Sequence, residues 1–401
     1  MMSGGEATVE RRREAARAVP DAVARATALA PAIRAAADEI ERSRRIPEPL
    51  LGDLHASGLL RLLLPRAYGG GEVEPGHYLG AVIAVARQDA SVAWNMFVAN
   101  SSALIAPHIP PATAVEIFSD PRALIAWGPP NDCRVTAVPG GYRASGRWGF
   151  ASGCRQATWM GVHANVEEAD GSLRLNAAGR PTIRTLLFPA GNATLVDTWT
   201  TIGLRGTASD SYTVEHLFVP ESRTGTRENP GGRNLAGPLY AFPMQGLYAV
   251  GVAGVGLGTA REMLAELVRL AQAKTPRGLS RLADQGLVQA EVALAEARLG
   301  SAEAYLLAVL ADIYARADDW APIATDDRAR VRLACANAIH AAIEVADSVY
   351  KLAGVDAIFP GSPFERRFRD MHTLSQQIQS RAAHFEAVGR ILLGAKDETF
   401  L

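Results

Sequence analysis

The stretch VTAVPGGYRASG (135–146) decides how this chain is read. Apolar and polar residues alternate up to a Pro-Gly-Gly turn and then resume, which is the period of a half-buried strand pair and not of a helix. The same period of two runs through ALIAW (123–127), TWMGVHANV (158–166), IRTLLFPAG (183–191) and TVEHLFVP (213–220), with Asp170-Gly171 as a further turn signal. The middle of the chain is therefore expected to be a β-domain, a barrel or a sandwich.

Outward from this region the period changes on both sides. From about Glu6 to Phe118 alanine-rich segments place apolar residues three and four apart, interrupted by RIPEPL (45–50) and by Gly69 to Gly71. This predicts a helical N-terminal domain. On the other side the polar, glycine-rich TGTRENPGGRN (224–234) reads as a linker, and the helical period then returns. Four long helices are expected at about 241–273, 282–316, 325–352 and 364–394, suited by count and short connections to an antiparallel four-helix bundle. The first contains AVGVAGVGLGTA (249–260), whose glycines weaken a helix but admit another backbone closely, for packing or for a ligand. The expected fold is mainly α with a central β-domain: residues 1–122 helical, 123–232 β, and 233–401 a helical bundle.

Composition narrows the function. The chain has 401 residues, 48% hydrophobic and 21% charged, enough for a large core. With 41 basic and 42 acidic residues the net charge is -1, so no overall field would recruit nucleic acid or an anionic membrane. Cys133, Cys154 and Cys335 lie far apart and form no disulfide framework or zinc pattern, which fits a reducing cytoplasm. The N-terminal sequence carries charges where a signal peptide needs an apolar run, and no stretch is long and apolar enough to span a bilayer. The catalytic signatures of several enzyme classes are missing: no G-x-S-x-G elbow, no P-loop, no H-E-x-x-H pair and no strand followed by G-x-G-x-x-G. His372 and His384, twelve residues apart on the last expected helix, make an improbable metal pair, and no metal is expected.

Four stretches together resemble the acyl-CoA dehydrogenases and their monooxygenase relatives. They are RIPEPLLGDLHASGLLRLLLPRAYGGG (45–71); ARQDASVAW (86–94), with the Asp-x-Ser-x-x-Trp pattern of the monooxygenase branch; GGYRASGRWGFASG (140–153) with GLRGTASDSYTVEHLFVP (203–220); and YKLAGVDAIFPGSPFERRFRDMHTLSQQIQ (350–379). The resemblance implies a homotetramer with flavin between the β-domain and the bundle. It places Ser152 beside the flavin ring, where a hydrogen bond would stabilise the reduced or adducted cofactor, unless Ser152 is a turn serine bonded to its own backbone. Trp127 would pack on the ring or belong to the core. Arg281 and Gln289 match positions that reach cofactor phosphate or ribose from another subunit, although the usual Phe-Gly after that arginine is absent. Trp94, Asn100 and Ser102 fall on the helix that backs the substrate chamber. Arg369 and Asp370 read as a structural ion pair and helix cap.

A dehydrogenase of this family needs a carboxylate to remove the substrate's α-proton. The corresponding stretch here, MHTLSQQIQ (371–379), has none, and Glu262 is the nearest substitute on an earlier helix. The monooxygenase branch instead takes reduced flavin (FMN or FAD) from a separate NAD(P)H flavin reductase, forms a C4a-hydroperoxide with O2, and passes one oxygen to a small-molecule substrate. Where that branch often carries histidines, this chain has Gln377 and, on the helix after ASVAW, Asn100, Ser101 and Ser102. Glutamine donates and accepts hydrogen bonds but takes no proton at neutral pH, so the expected substrate needs no strong base: an electron-rich heteroaromatic, a sulfur compound or an amine. His372 faces the chamber or the subunit interface. The competing readings are an FAD-dependent dehydrogenase of acyl thioesters and an inactive small-molecule-binding homologue.

Overall fold

The computed structural model describes residues 22–129, 132–176, 179–226 and 232–395. The helical reading of the first residues, from Glu6 to Asp21, lies outside them. Among the described residues six helices come first: α1 (Ala22–Ala28), α2 (Ala30–Ser43), α3 (Glu48–Ala56), α4 (Pro75–Ala86), α5 (Ala90–Ala103) and α6 (Pro111–Phe118). Helix α5 is set by Asp89, whose extended backbone and side chain, accepting from Val92 N at 2.9 Å, form its N-cap. Every residue of α5 is buried, so this helix runs through the middle of the core and not along its rim.

The chain then enters eight strands: β1 (Ile125–Gly128), β2 (Asp132–Val138), β3 (Gly141–Ala151), β4 (Trp159–Glu167), β5 (Ile183–Pro189), β6 (Thr194–Val196), β7 (Asp210–Pro220) and β8 (Thr224–Gly225). They form one curled sheet in the order β6-β7-β3-β2-β4-β5-β8, with β1 pairing parallel to β4. The Pro-Gly-Gly turn read from sequence joins β2 and β3 as an antiparallel hairpin, Val138 opposite Gly141. Inside the curl Trp148 and Tyr212 stack at 5.7 Å, with Val162, Leu186 and Phe188 completing the apolar filling. Opposite Tyr212 the register of β3 and β7 slips between Trp148 and Ala151, a bulge that turns Phe150 outward with φ of 57°.

The glycine-rich linker is pinned at both described ends. Thr224–Gly225 pairs with β5, while buried Arg233 donates to Tyr240 O and Asp319 O, and Asn234 N donates to Pro107 O. Three long helices follow, α7 (Met244–Ala273), α8 (Gly286–Arg316) and α9 (Thr325–Ala353). The fourth expected helix is broken: α10 (Glu365–Leu374) and α11 (Ala383–Leu392) flank a short 3-10 turn at Ile378–Ser380. Backbone carbonyls exposed by the break are held by imidazoles, His384 to Ile378 O at 2.8 Å and His340 to Ser380 O at 3.0 Å. His372 and His384 therefore sit on different helices.

The glycines of AVGVAGVGLGTA serve close packing. A Cβ on Gly251 would lie 2.7 Å from the Phe97 ring and the Tyr78 hydroxyl, one on Gly254 2.8 Å from Val82, and one on Gly258 2.5 Å from Ile83 O. Thus α4 and α5 of the N-terminal domain seat directly on α7, joining that domain to the bundle through a single core. Among the described residues no helix is long and apolar enough to cross a membrane.

Candidate active site

The end of β3, the start of β7 and helix α5 meet at a cluster of hydroxyls. Trp94 Nε1 donates to Ser152 Oγ at 3.1 Å, Ser152 Oγ lies 2.6 Å from Ser209 Oγ, and Ser209 Oγ lies 2.7 Å from Thr207 Oγ1, which donates to Leu204 O at 2.8 Å. All four side chains are buried. Beyond Trp94 an edge-to-face aromatic series runs inward, Trp94 to Phe97 at 4.8 Å and Phe97 to Tyr248 of α7 at 5.0 Å. Ser152 thus stands between the end of β3 and an aromatic wall supplied by the helices.

On the outer side of Ser152 the bulge leaves the Phe150 ring 64% exposed. A large apolar side chain held outward in the left-handed region is a strained arrangement that burial does not explain, and such positions collect at ligand sites. Trp199 stands edge-on to it at 6.1 Å, fixed by its Nε1 donating to Leu204 O at 2.9 Å and by Asp210 Oδ1 accepting from Trp199 N. These residues fit a flavin ring: an open aromatic surface for its face and a buried hydroxyl cluster for its polar edge.

The loop carrying this cluster is clamped by α10. Leu204 N donates to Asp370 Oδ1 at 2.6 Å, and Gly203 is so close to the backbone of Arg369 that a Cβ would lie 2.1 Å from Arg369 O. Arg369 pairs with Glu41 and Glu365 and donates to Ile202 O, so Arg369 and Asp370 bind the loop rather than each other. Asp370 is fully buried, and burial together with the nearby Asp89 carboxyl pushes it up to about 7. From α5, Asn95 Nδ2 also reaches the loop, donating to Gly206 O at 3.1 Å.

Of the residues singled out from sequence, the structure brings Ser152 and Trp94 together. Asn100 is completely buried, but its amide accepts from Leu63 N and donates to Leu59 O and Met96 O. Ser102 donates to Ala99 O. Both close the backbone around α5 and have no hydrogen bond in the hydroxyl cluster. Gln377 caps the helix break by accepting from Gln379 N at 2.6 Å, and His372 lies 3.1 Å from Asp347 and edge-on to Phe368. The Trp127 ring packs over Gly161 and lies 4.7 Å from His163, half-buried against the apolar cluster that α6 and the end of α5 form with the sheet. Arg281 is exposed and paired with Asp284, while Gln289 donates to Ala283 O. Glu262 is buried between Arg87 and Arg269, a carboxylate committed to two guanidinium groups. Phe150, Trp199, Thr207, Ser209, Phe97 and Tyr248 were not singled out; the dense hydroxyls of RGTASDS (205–211) were the legible signal for two of them.

Comparison with known proteins places this geometry. Residues 13–110 match the N-terminal domain model of acyl-CoA dehydrogenases and residues 250–381 the C-terminal one. An indole-3-acetate monooxygenase of Pseudomonas putida is 30% identical over 366 residues, covering 90% of each chain. The chain belongs to the acyl-CoA dehydrogenase superfamily, in its flavin-dependent monooxygenase branch. Also similar is the oxygenase component of an FADH2-dependent resorcinol hydroxylase from Rhizobium, 28% identical over 387 residues and 92% of each chain. The structure of XiaF from Streptomyces, a complex with FADH2 and glycerol, superimposes with a TM-score of 0.89 at 24% identity, covering 98% of this chain and 99% of that one. The resorcinol hydroxylase is named as the FADH2-dependent oxygenase component of its system, and a further relative, 27% identical, as the oxygenase subunit of a flavin-dependent monooxygenase.

Proposed function

We propose that this oxygenase inserts one atom of O2 into a small aromatic or heteroaromatic substrate, with the flavin ring seated between Phe150 and Ser152 and the substrate against Trp94, Phe97 and Tyr248. The observation that carries the reading is the Trp94–Ser152 hydrogen bond, which ties the end of β3 to the aromatic wall. When bound, reduced flavin supplies the activated oxygen. The chain's own part is to hold the ring's polar edge at Ser152, to keep water out with the buried α5–α7 wall, and to orient the substrate by its aromatic faces. Trp94, Phe97, Ser152, Thr207 and Ser209 offer no group that takes a proton at neutral pH, so an electron-rich substrate such as an indole, the class acted on by the Pseudomonas putida relative, fits better than one needing deprotonation.

The protein is further proposed to be a cytoplasmic homotetramer in which Arg281 and Gln289 reach a neighbour's cofactor. Leu287, Leu294 and Tyr305 form one exposed apolar face along α8, beginning beside those two residues. Anaerobic titration with reduced FMN and with FADH2, followed by reaction with labelled O2 and indole substrates, tests the activity. Binding of reduced flavin and transfer of one labelled atom is expected; reduction of bound FAD by an acyl thioester, without oxygen transfer, would replace it with dehydrogenation.

A further inference from the structure

The hydroxyl cluster has a direction. Thr207, Ser209 and Ser152 own three hydroxyl protons, and the three short contacts from Leu204 O to Thr207, Thr207 to Ser209 and Ser209 to Ser152 each need one, because two bare oxygens at 2.6 to 2.8 Å repel. Leu204 O is a carbonyl and has no proton to give. It also accepts from Trp199 Nε1 at 2.9 Å and Thr207 N at 3.1 Å, so it is an acceptor toward every neighbour. One assignment remains: Thr207 donates to Leu204 O, Ser209 to Thr207, and Ser152 to Ser209. Trp94 Nε1 donates into Ser152 as well. Ser152 therefore has no proton left for a ligand and presents only a lone pair.

We propose that Thr207 and Ser209 are positioning residues which hold Ser152 as an obligate acceptor, so that the site prefers reduced over oxidised flavin. The inference rests on the reading above that Ser152 meets the flavin's polar edge. Reduced flavin carries ring N–H groups where the oxidised ring has bare nitrogens. An N–H facing Ser152 makes a hydrogen bond, whereas a bare nitrogen meets a second lone pair. The relay thus converts a serine that elsewhere rotates freely into a sensor of the cofactor's redox state. It lets an oxygenase component collect reduced flavin and release it after oxidation without any moving part.

The test compares dissociation constants of reduced and oxidised FMN and FAD, under anaerobic and aerobic conditions, for the intact protein and three variants. Ser209→Ala and Thr207→Val each free the relay, so that Ser152 can turn its proton outward. The ratio of oxidised to reduced dissociation constants is expected to fall about tenfold, the worth of one hydrogen bond. A tenfold fall lowers the two-electron potential of the bound flavin by about 30 mV. Thr207→Ser keeps both bonds and should keep the wild-type ratio, which separates the relay from simple loss of packing. If the wild-type protein prefers reduced flavin but Ser209→Ala and Thr207→Val leave the ratio unchanged, the relay is overturned while the oxygenase reading stands. A wild-type protein that binds oxidised flavin as well as reduced, or neither, overturns both.

Discussion

The end of the β3–β7 ladder and the C-terminal half of α5 are both buried and both rich in small polar side chains, yet they are built to opposite purposes. Along α5, the side chains of Asn100, Ser101 and Ser102 each hydrogen-bond to backbone, so the polar groups are consumed in holding the helix within the core. At the ladder's end, Ser152 accepts from Trp94, gives its proton to Ser209, and keeps one lone pair beside an outward-turned Phe150. The helix break at Gln377 follows the first pattern, its side chain closing its own turn. A buried polar residue in this protein is thus informative about ligands only when its local backbone leaves part of it unused.

Substitution at the two regions should separate stability from binding. The largest effect is expected for Asn100→Ala, which strands Leu63 N in a dry core and takes a donor from two carbonyls, and should cost about 3 kcal/mol of stability in thermal or denaturant unfolding. Flavin affinity of the molecules that remain folded should not change; a loss there would place Asn100 in the chamber. Ser152→Ala reverses the pattern. It should leave the melting temperature within a few degrees and weaken reduced-flavin binding about tenfold by anaerobic titration.

The clamp between the loop and α10 titrates. Asp370 holds its proton up to about pH 7 in the folded protein, whereas the unfolded chain releases it near about 4. Its contribution is therefore complete below pH 4 and is lost as pH rises through 7. Asp370→Asn keeps an oxygen for Leu204 N and carries no charge, so between pH 5 and 8 it should gain stability over the wild type by on the order of 1 kcal/mol. A constant difference across that range would mean that Asp370 is ionised throughout. On the outer face of α8, Leu294→Glu should shift the light-scattering mass from that of the proposed tetramer toward smaller species without changing the fold. The smallest effect belongs to Gln377→Ala, expected to alter the oxygenation rate by less than about fivefold, since loss of one half-buried turn cap is worth about 1 kcal/mol or less. A hundredfold loss would assign Gln377 to the reacting atoms.

Periodicity by itself determined the three-part order of helices, strands and helices, because the spacing of apolar residues reports which face of each segment is buried. The family resemblance of four stretches pointed to Ser152 and Trp94, and within that resemblance the absence of a carboxylate in MHTLSQQIQ favoured oxygenase over dehydrogenase. Glu262 could be discounted only once Arg87 and Arg269 were seen on either side of it. The break between α10 and α11 was hidden because no proline or glycine marks residues 375–382; tertiary contacts of His340 and His384 with the freed carbonyls decide it. Phe150 reads in sequence as one more apolar strand residue, and only its pairing across a bulge shows that it points outward. Hydrogen-bond direction at Ser152 depends on Leu204 and Ser209, dozens of residues away, and a property fixed by what a proton has left to bond emerges only when those partners are brought within reach.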